Sequence, residues 1–149
     1  MGGGGVDGAI HRRGGPQILE ECKMLRQEYW PRGLPAGKAT ITSGGQLIAR
    51  HVIHTVGPVW KGGDGGEPAE LANCYANSLS LAKEKRLKSV AFPSISTGAY
   101  GYPIEAASRI ALKTVKEFVE KEGWPVEVVL VLFSNRDFEV YKRAAKEFE

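Results

Sequence analysis

Two glycine-rich stretches of the sequence carry groups suited to holding a phosphate or a sugar. The first runs Gly2-Gly3-Gly4-Gly5-Val6-Asp7-Gly8-Ala9-Ile10-His11. Its glycines allow positive φ and close approach of the main chain to a ligand, and Asp7 sets one carboxylate among them. Such a carboxylate can position and polarise a water, or it can cap a following helix. A glycine tail at a chain end has the same composition, so the stretch alone leaves these readings open. The second runs Pro93-Ser94-Ile95-Ser96-Thr97-Gly98-Ala99-Tyr100-Gly101-Tyr102-Pro103, after an apolar segment and before a helical one. In open α/β sheets ligands bind at such strand ends, where amides and a helix dipole attract an anion. Gly98 and Gly101 would let the chain wrap a phosphate, Ser96 and Thr97 add hydroxyl donors, and Tyr100 has a ring free to pack on a sugar. A plain structural turn with a surface tyrosine is the alternative.

Other chemistries find less support. Gly3, Gly5 and Gly8 formally spell GxGxxG, but no strand precedes them and no acidic residue ends a second strand about 20 residues on. No Lys-Ser or Lys-Thr pair follows, which removes a P-loop. Cys22 and Cys74 lie outside any metal-ligand spacing and read as reduced, partly buried cysteines. His11, His51 and His54 have no acidic or cysteine partner at ligand spacing, so neither metal nor cofactor is expected. His54, on an apolar strand, reads as a satisfied core histidine, and Trp60 as structural.

The elements that would position these groups follow from periodicity. Pro16 can open a helix with Ile18, Leu19, Cys22, Leu25 and Tyr29 inward, ending before Pro31. Residues 38–42 and 51–56 are rich in β-branched side chains and read as strands around a Gly44-Gly45 turn. A glycine-rich surface connection at 62–66 leads to a helix over 68–86 with Leu71, Cys74, Tyr75, Ser78, Leu79 and Ala82 inward. Residues 89–92 are a short strand. Pro103 opens a helix with Ile104, Ala107, Ile110, Ala111, Thr114, Val115 and Phe118 inward. Residues 126–133 are almost wholly apolar, which suits a strand buried on both faces, and 136–148 is a final amphipathic helix. Alternating strands and helices indicate an α/β layered sheet.

Length and composition agree with one domain over residues 1–149, 42% hydrophobic and 25% charged. No run of about 18 apolar residues and no signal-peptide start is present, so a cytoplasmic location is expected and a membrane is not. The net charge is +3, spread along helices, which gives nucleic-acid binding little support.

Read together, residues 2–15, 51–60 (HVIHTVGPVW) and 90–103 (VAFPSISTGAYGYP) resemble the macro domain family, and within it the MacroD-type ADP-ribosyl hydrolases. The resemblance implies a three-layer α/β/α sandwich around a mixed sheet. It also implies hydrolysis of ADP-ribose from acidic side chains, or deacetylation of O-acetyl-ADP-ribose, without a metal. By position, Gly5-Val6-Asp7 is similar to the family's catalytic loop, with Asp7 at its acidic position. Ser96, Thr97, Gly98, Ala99 and Tyr100, followed by Gly101, are similar to its diphosphate loop. Phe133 is similar to an aromatic that stacks on adenine, although the following Ser134-Asn135-Arg136 departs from the usual acidic stretch. Partners implied are ADP-ribose or O-acetyl-ADP-ribose and mono-ADP-ribosylated proteins.

Relatives begin with two strands and a helix carrying an adenine-contacting aspartate and an Asn-Ala-Ala-Asn segment. This sequence starts after them, so the expectation is an N-terminally truncated form of a longer working protein. A module that binds ADP-ribose without turnover is the alternative. A carboxylate is a weak base at neutral pH, so positioning must supply much of the rate if Asp7 is catalytic.

Overall fold

The computed structural model describes residues 3–125 and 127–149. Its elements run α1 (Gly5–Gly14), α2 (Pro16–Glu28), β1 (Ala39–Ser43), β2 (His51–Thr55), α3 (Glu67–Glu84), β3 (Ser89–Phe92), α4 (Ile104–Glu122), β4 (Glu127–Leu130) and α5 (Asn135–Ala145), closing in a 3-10 turn at Lys146–Phe148.

Helix α2 starts where Gly15, at φ 80°, breaks the chain direction and Pro16 supplies a preset φ without needing an amide partner. It buries Ile18 and Cys22; Tyr29, expected inward, instead lies exposed at its C-cap. Strands β1 and β2 pair antiparallel, from Ala39 opposite Thr55 to Ser43 opposite His51. The turn between them meets the end of α1, where the Gln46 amide donates to the Gly14 carbonyl at 2.8 Å.

Helix α3 is the centre of the core. Leu71, Cys74, Tyr75, Ser78, Leu79 and Ala82 are all buried, as their spacing predicts for one helix face. Leu71, Tyr75 and Leu79 cluster with Phe92 of β3, Tyr102, Ala107 and Ala111 of α4, and Tyr141 of α5. The Tyr75 and Phe92 rings lie 5.0 Å apart and tilted by 57°, a favourable aromatic geometry. Strand β3 pairs parallel to β4, Ser89 opposite Glu127 through Phe92 opposite Leu130. The mixed pairing is thus one antiparallel and one parallel ladder, forming two separate two-stranded sheets among the described residues.

Two expectations need correction. Gly5, Val6 and Asp7 are the first turn of α1 and not a loop; the glycines at 3–5 precede a helix that its later residues can sustain. The apolar segment after Gly123 is not buried on both faces. Val126 lies outside the described residues, and β4 ends at Leu130. Val128, Leu130 and Leu132 pack toward the core, whereas Val129 and Val131 face out, Val131 being 58% exposed. Helices α3, α4 and α5 bring their apolar faces to one side of this ladder, and no described element covers the other. The β-branched run therefore reports strand propensity more than two-sided burial.

Candidate functional site

The loop over residues 94–102 leaves β3 directly from the core and is pinned by buried hydroxyls. Tyr75, fully buried, donates its hydroxyl proton to the Pro93 carbonyl at 3.4 Å and accepts from the Ile95 amide at 3.2 Å. Ser94 Oγ and the Tyr141 hydroxyl share a hydrogen bond of 2.8 Å. Burial, with Tyr141 nearby, pushes the Tyr75 hydroxyl well above its usual range, and burial also raises Tyr141, so both remain neutral phenols. The Thr97 hydroxyl lies 2.8 Å from Ser94 Oγ and 3.1 Å from the Ser94 carbonyl, and gives its one proton to either. Further on, the Gly101 amide donates to Gly98 O at 3.0 Å and the Tyr102 amide to Ser96 O at 2.9 Å.

This curl leaves donors unused. Ser96 sits at φ 67° and Gly101 at φ 71°. A left-handed serine is sparsely populated and strained, and the surrounding hydrogen bonds hold it. Among the described residues, no acceptor meets the amides of Thr97, Gly98, Ala99 or Tyr100. Ser96 Oγ is buried without a partner. Gly98, Ala99, Tyr100 and Gly101 are exposed, Tyr100 by 43%. The α4 start carries Glu105 in its first turn, which opposes an anion at that helix end. The loop amides, and not the helix dipole, are therefore the donors on offer.

Strand β2 and the chain after it form the wall of this loop. Gly57 lies so close that a methyl there would run into Ser96 Oγ and come within 2.7 Å of Ile95 Cγ2. The Trp60 amide donates to the Tyr100 carbonyl at 2.9 Å, and its ring meets Tyr102 tilted by 52° with centroids 4.6 Å apart. Phe133 is fully exposed at 102%. It follows two residues after Val131, whose amide donates to Phe92 O just before the loop.

At the start of α1, Gly4 is extended, Gly5 takes φ 61° and Asp7 stands in the first turn. Asp7 Oδ1 lies 3.3 Å from His11 Nε2 one turn on, an ionic contact whenever that imidazole is protonated. Gly8 is buried against the Gly3 carbonyl and has no room for a side chain. The Asp7 charge reaches Cys22, whose thiol is raised first by burial and then by Asp7. It also reaches His54, lowered by burial and by His11, with Asp7 opposing. His54 Nε2 lies 2.9 Å from Thr42 Oγ1, whose own proton goes to Ser43 O, so the imidazole is the donor of that pair. It is a satisfied, half-buried histidine, and both cysteines are buried and free, as the sequence indicates.

The predicted residues thus fall in two groups. Ser96, Thr97, Gly98, Ala99, Tyr100 and Gly101 form one continuous curl, with Phe133 at the adjoining strand end. Gly5, Val6 and Asp7 form the other, in the first turn of α1. Tyr75 and Tyr141 escape sequence reading as site residues because their inward register marks them as core. The available signal is that a buried tyrosine hydroxyl must find a partner. Glu67 escapes too. It is 3% exposed, and its Oε2 accepts from the Lys61 amide at 3.0 Å and the Gly63 amide at 2.8 Å. Among the described residues no group of three or more His, Cys, Asp or Glu could hold a metal, and no helix is long and apolar enough to cross a membrane.

Comparison with known proteins identifies the family. The model of the family described as "Macro domain" matches residues 1–111. A macro domain-containing protein of Caldanaerobacter subterraneus subsp. tengcongensis is 54% identical over 149 residues, covering 100% of this chain and 83% of its own length. A Citrobacter koseri protein named O-acetyl-ADP-ribose deacetylase is 51% identical over 143 residues, covering 96% of this chain and 80% of its own length. The solved macrodomain of Oceanobacillus iheyensis with ADP superposes at a TM-score of 0.95, with 48% identity, covering 99% of this chain and 78% of its own. The matched residues include both glycine stretches and the strands between them, and the chain belongs to the macro domain family.

Proposed function

We propose that this chain binds ADP-ribose through the 96–101 curl and hydrolyses esters of it, O-acetyl-ADP-ribose first and ADP-ribose carried on acidic protein side chains second. The observation that carries the reading is the set of unsatisfied donors on that curl: four exposed-side amides and the Ser96 hydroxyl, held by core tyrosines. A diphosphate supplies the acceptors they lack. Tyr100 lies against the ribose and Phe133 offers a face for the adenine ring.

For the acetyl ester, a water oxygen adds to the ester carbonyl carbon, and Asp7 takes the proton that the water loses. The bond between that carbon and the ribose oxygen then breaks, Asp7 returns the proton to the leaving ribose oxygen, and acetic acid, which ionises to acetate, and ADP-ribose are released. Gly5 and Val6 bring main chain beside the sugar, and His11 orients the Asp7 carboxylate. Support comes from relatives named O-acetyl-ADP-ribose deacetylase, such as those of Citrobacter koseri and Cronobacter turicensis.

The Asp7–His11 contact also favours a second reading, in which the carboxylate is structural and the chain is a binder without turnover. Product release separates them. Asp7→Ala should cut acetate release from O-acetyl-ADP-ribose by about 100-fold or more, the usual contribution of a positioned acid–base group. ADP-ribose affinity should stay within about tenfold, a difference of about 1.4 kcal/mol. Equal turnover in the variant would remove Asp7 from the reaction, and tight ADP-ribose binding by a wild type that releases nothing would select the binder.

A further inference from the structure

The Glu67 carboxylate is a buried charge away from the reacting groups, and its partners are main-chain amides. It opens α3, where the helix dipole favours an anion, directly after Gly66 in the left-handed region. One oxygen gathers the Lys61 and Gly63 amides, while Oε1 faces Gly65. The amides of Gly63, of Glu67 itself and of Lys61 hold its carboxyl below the usual glutamate range. A glycine-rich connection, otherwise free to wander, is thereby tied into one shape around a single side chain.

That shape continues into the candidate ligand loop. A methyl added at Gly63 would come within 2.8 Å of the Trp60 ring, so the tied turn packs directly against the indole. Trp60 then makes two contacts with the other loop: its amide to the Tyr100 carbonyl and its ring on Tyr102. The Tyr100 carbonyl belongs to the peptide that leads into Gly101, at φ 71°, and so sets the curl that leaves the Thr97–Tyr100 amides unbonded.

We propose that Glu67 is a positioning residue for the 96–101 loop, acting through Lys61, Gly63 and Trp60 on the placement of Tyr100. The inference rests on the reading of that loop as the ADP-ribose site. Because the loop's donors must meet a diphosphate within a fraction of an ångström, releasing the tie weakens binding while leaving the donors themselves intact.

The test is calorimetric titration of ADP-ribose into wild type, Glu67→Ala, Glu67→Asp and Glu67→Gln, with amide hydrogen exchange on the unliganded proteins. The expected result is at least about tenfold weaker binding for Glu67→Ala. Glu67→Asp, which keeps the charge but withdraws it by one methylene, should fall between. Glu67→Gln keeps one carbonyl oxygen for the Lys61 and Gly63 amides but turns an NH2 donor toward Gly65, so it should bind more tightly than Glu67→Ala yet more weakly than wild type. Exchange should quicken at 61–65 and also at the bonded Gly101 and Tyr102 amides of the loop in Glu67→Ala. Unchanged affinity in Glu67→Ala overturns the proposal, as does faster exchange confined to 61–65. If Glu67→Ala does not fold, unchanged affinity in Glu67→Asp overturns it equally. A wild type that does not bind ADP-ribose sinks the site reading and this inference together, and that arm distinguishes the two failures.

Discussion

The 96–101 curl hangs from side chains that are buried in the core, whereas the Gly5–Asp7 turn stands on the surface at the start of α1. Tyr75 and Tyr141 reach the first from α3 and α5. Around the second, a methyl added at Gly3, Gly4 or Gly5 would meet nothing within 4 Å, and Val6 and Asp7 are exposed. Left-handed and glycine backbone thus serves two ends. Ser96 and Gly101 adopt a shape that the core imposes, while the glycines at 3–5 keep the space beside Asp7 clear. The geometry of the proposed binding loop is therefore coupled to global stability, and the proposed catalytic carboxylate is not.

Removing Tyr75 tests that coupling hardest. Tyr75→Ala should cost about 3–5 kcal/mol in urea unfolding, as for other large core rings, and take ADP-ribose binding with it. Asp7→Ala should stay within about 0.5 kcal/mol of wild type in the same experiment, as surface substitutions do. Similar losses for both would erase the contrast between the regions.

A smaller effect is expected at the wall of the loop. Gly57→Ala places a methyl against Ser96 Oγ and Ile95, and overpacking of this kind costs about 1–3 kcal/mol. The strain falls on Ser96, so ADP-ribose affinity should drop even where the protein remains folded at 25 °C. Full affinity with full stability would mean that the loop yields freely and is not held as described.

The smallest effect is a pH dependence at His54, which lies against Cys22 of α2. Burial, followed by the His11 charge, lowers the His54 value below 6.5 in the folded chain. Below pH 6.5 the unfolded chain then binds more protons, so this contribution is complete above 6.5 and is lost as pH falls toward the folded value. Glu67, held below its usual 4.5, acts in the same direction further down: its contribution is present above 4.5 and lost as pH falls through its folded value. Urea midpoints should decline between pH 7.5 and 5.5, and His54→Gln should flatten that part of the decline. An unchanged slope would place the titrating group elsewhere.

Much of the fold was legible because α3 and α4 bury one face each, so helical periodicity alone names Leu71, Tyr75, Leu79, Ala107 and Ala111 as core. The 96–101 curl was legible for a different reason: hydroxyls and glycines after a strand have few other uses. Residues 5–7 were misread as a loop because glycine content obscures a helix whose register only later residues set. Burial of Val129 and Val131 could not be read from their types, since a strand of valines looks alike with one covered face or two. Glu67 stayed hidden because a carboxylate held through one oxygen by backbone amides has no charged partner to mark it in the sequence.

The most direct test of the central claim is a nuclear magnetic resonance titration with ADP-ribose, following backbone amides. The account predicts saturable shifts at Thr97, Gly98, Ala99 and Tyr100, with Lys113 and Glu117 on the outer face of α4 unmoved. Saturating ADP-ribose that leaves those four amides in place, or that shifts a different surface instead, would contradict it.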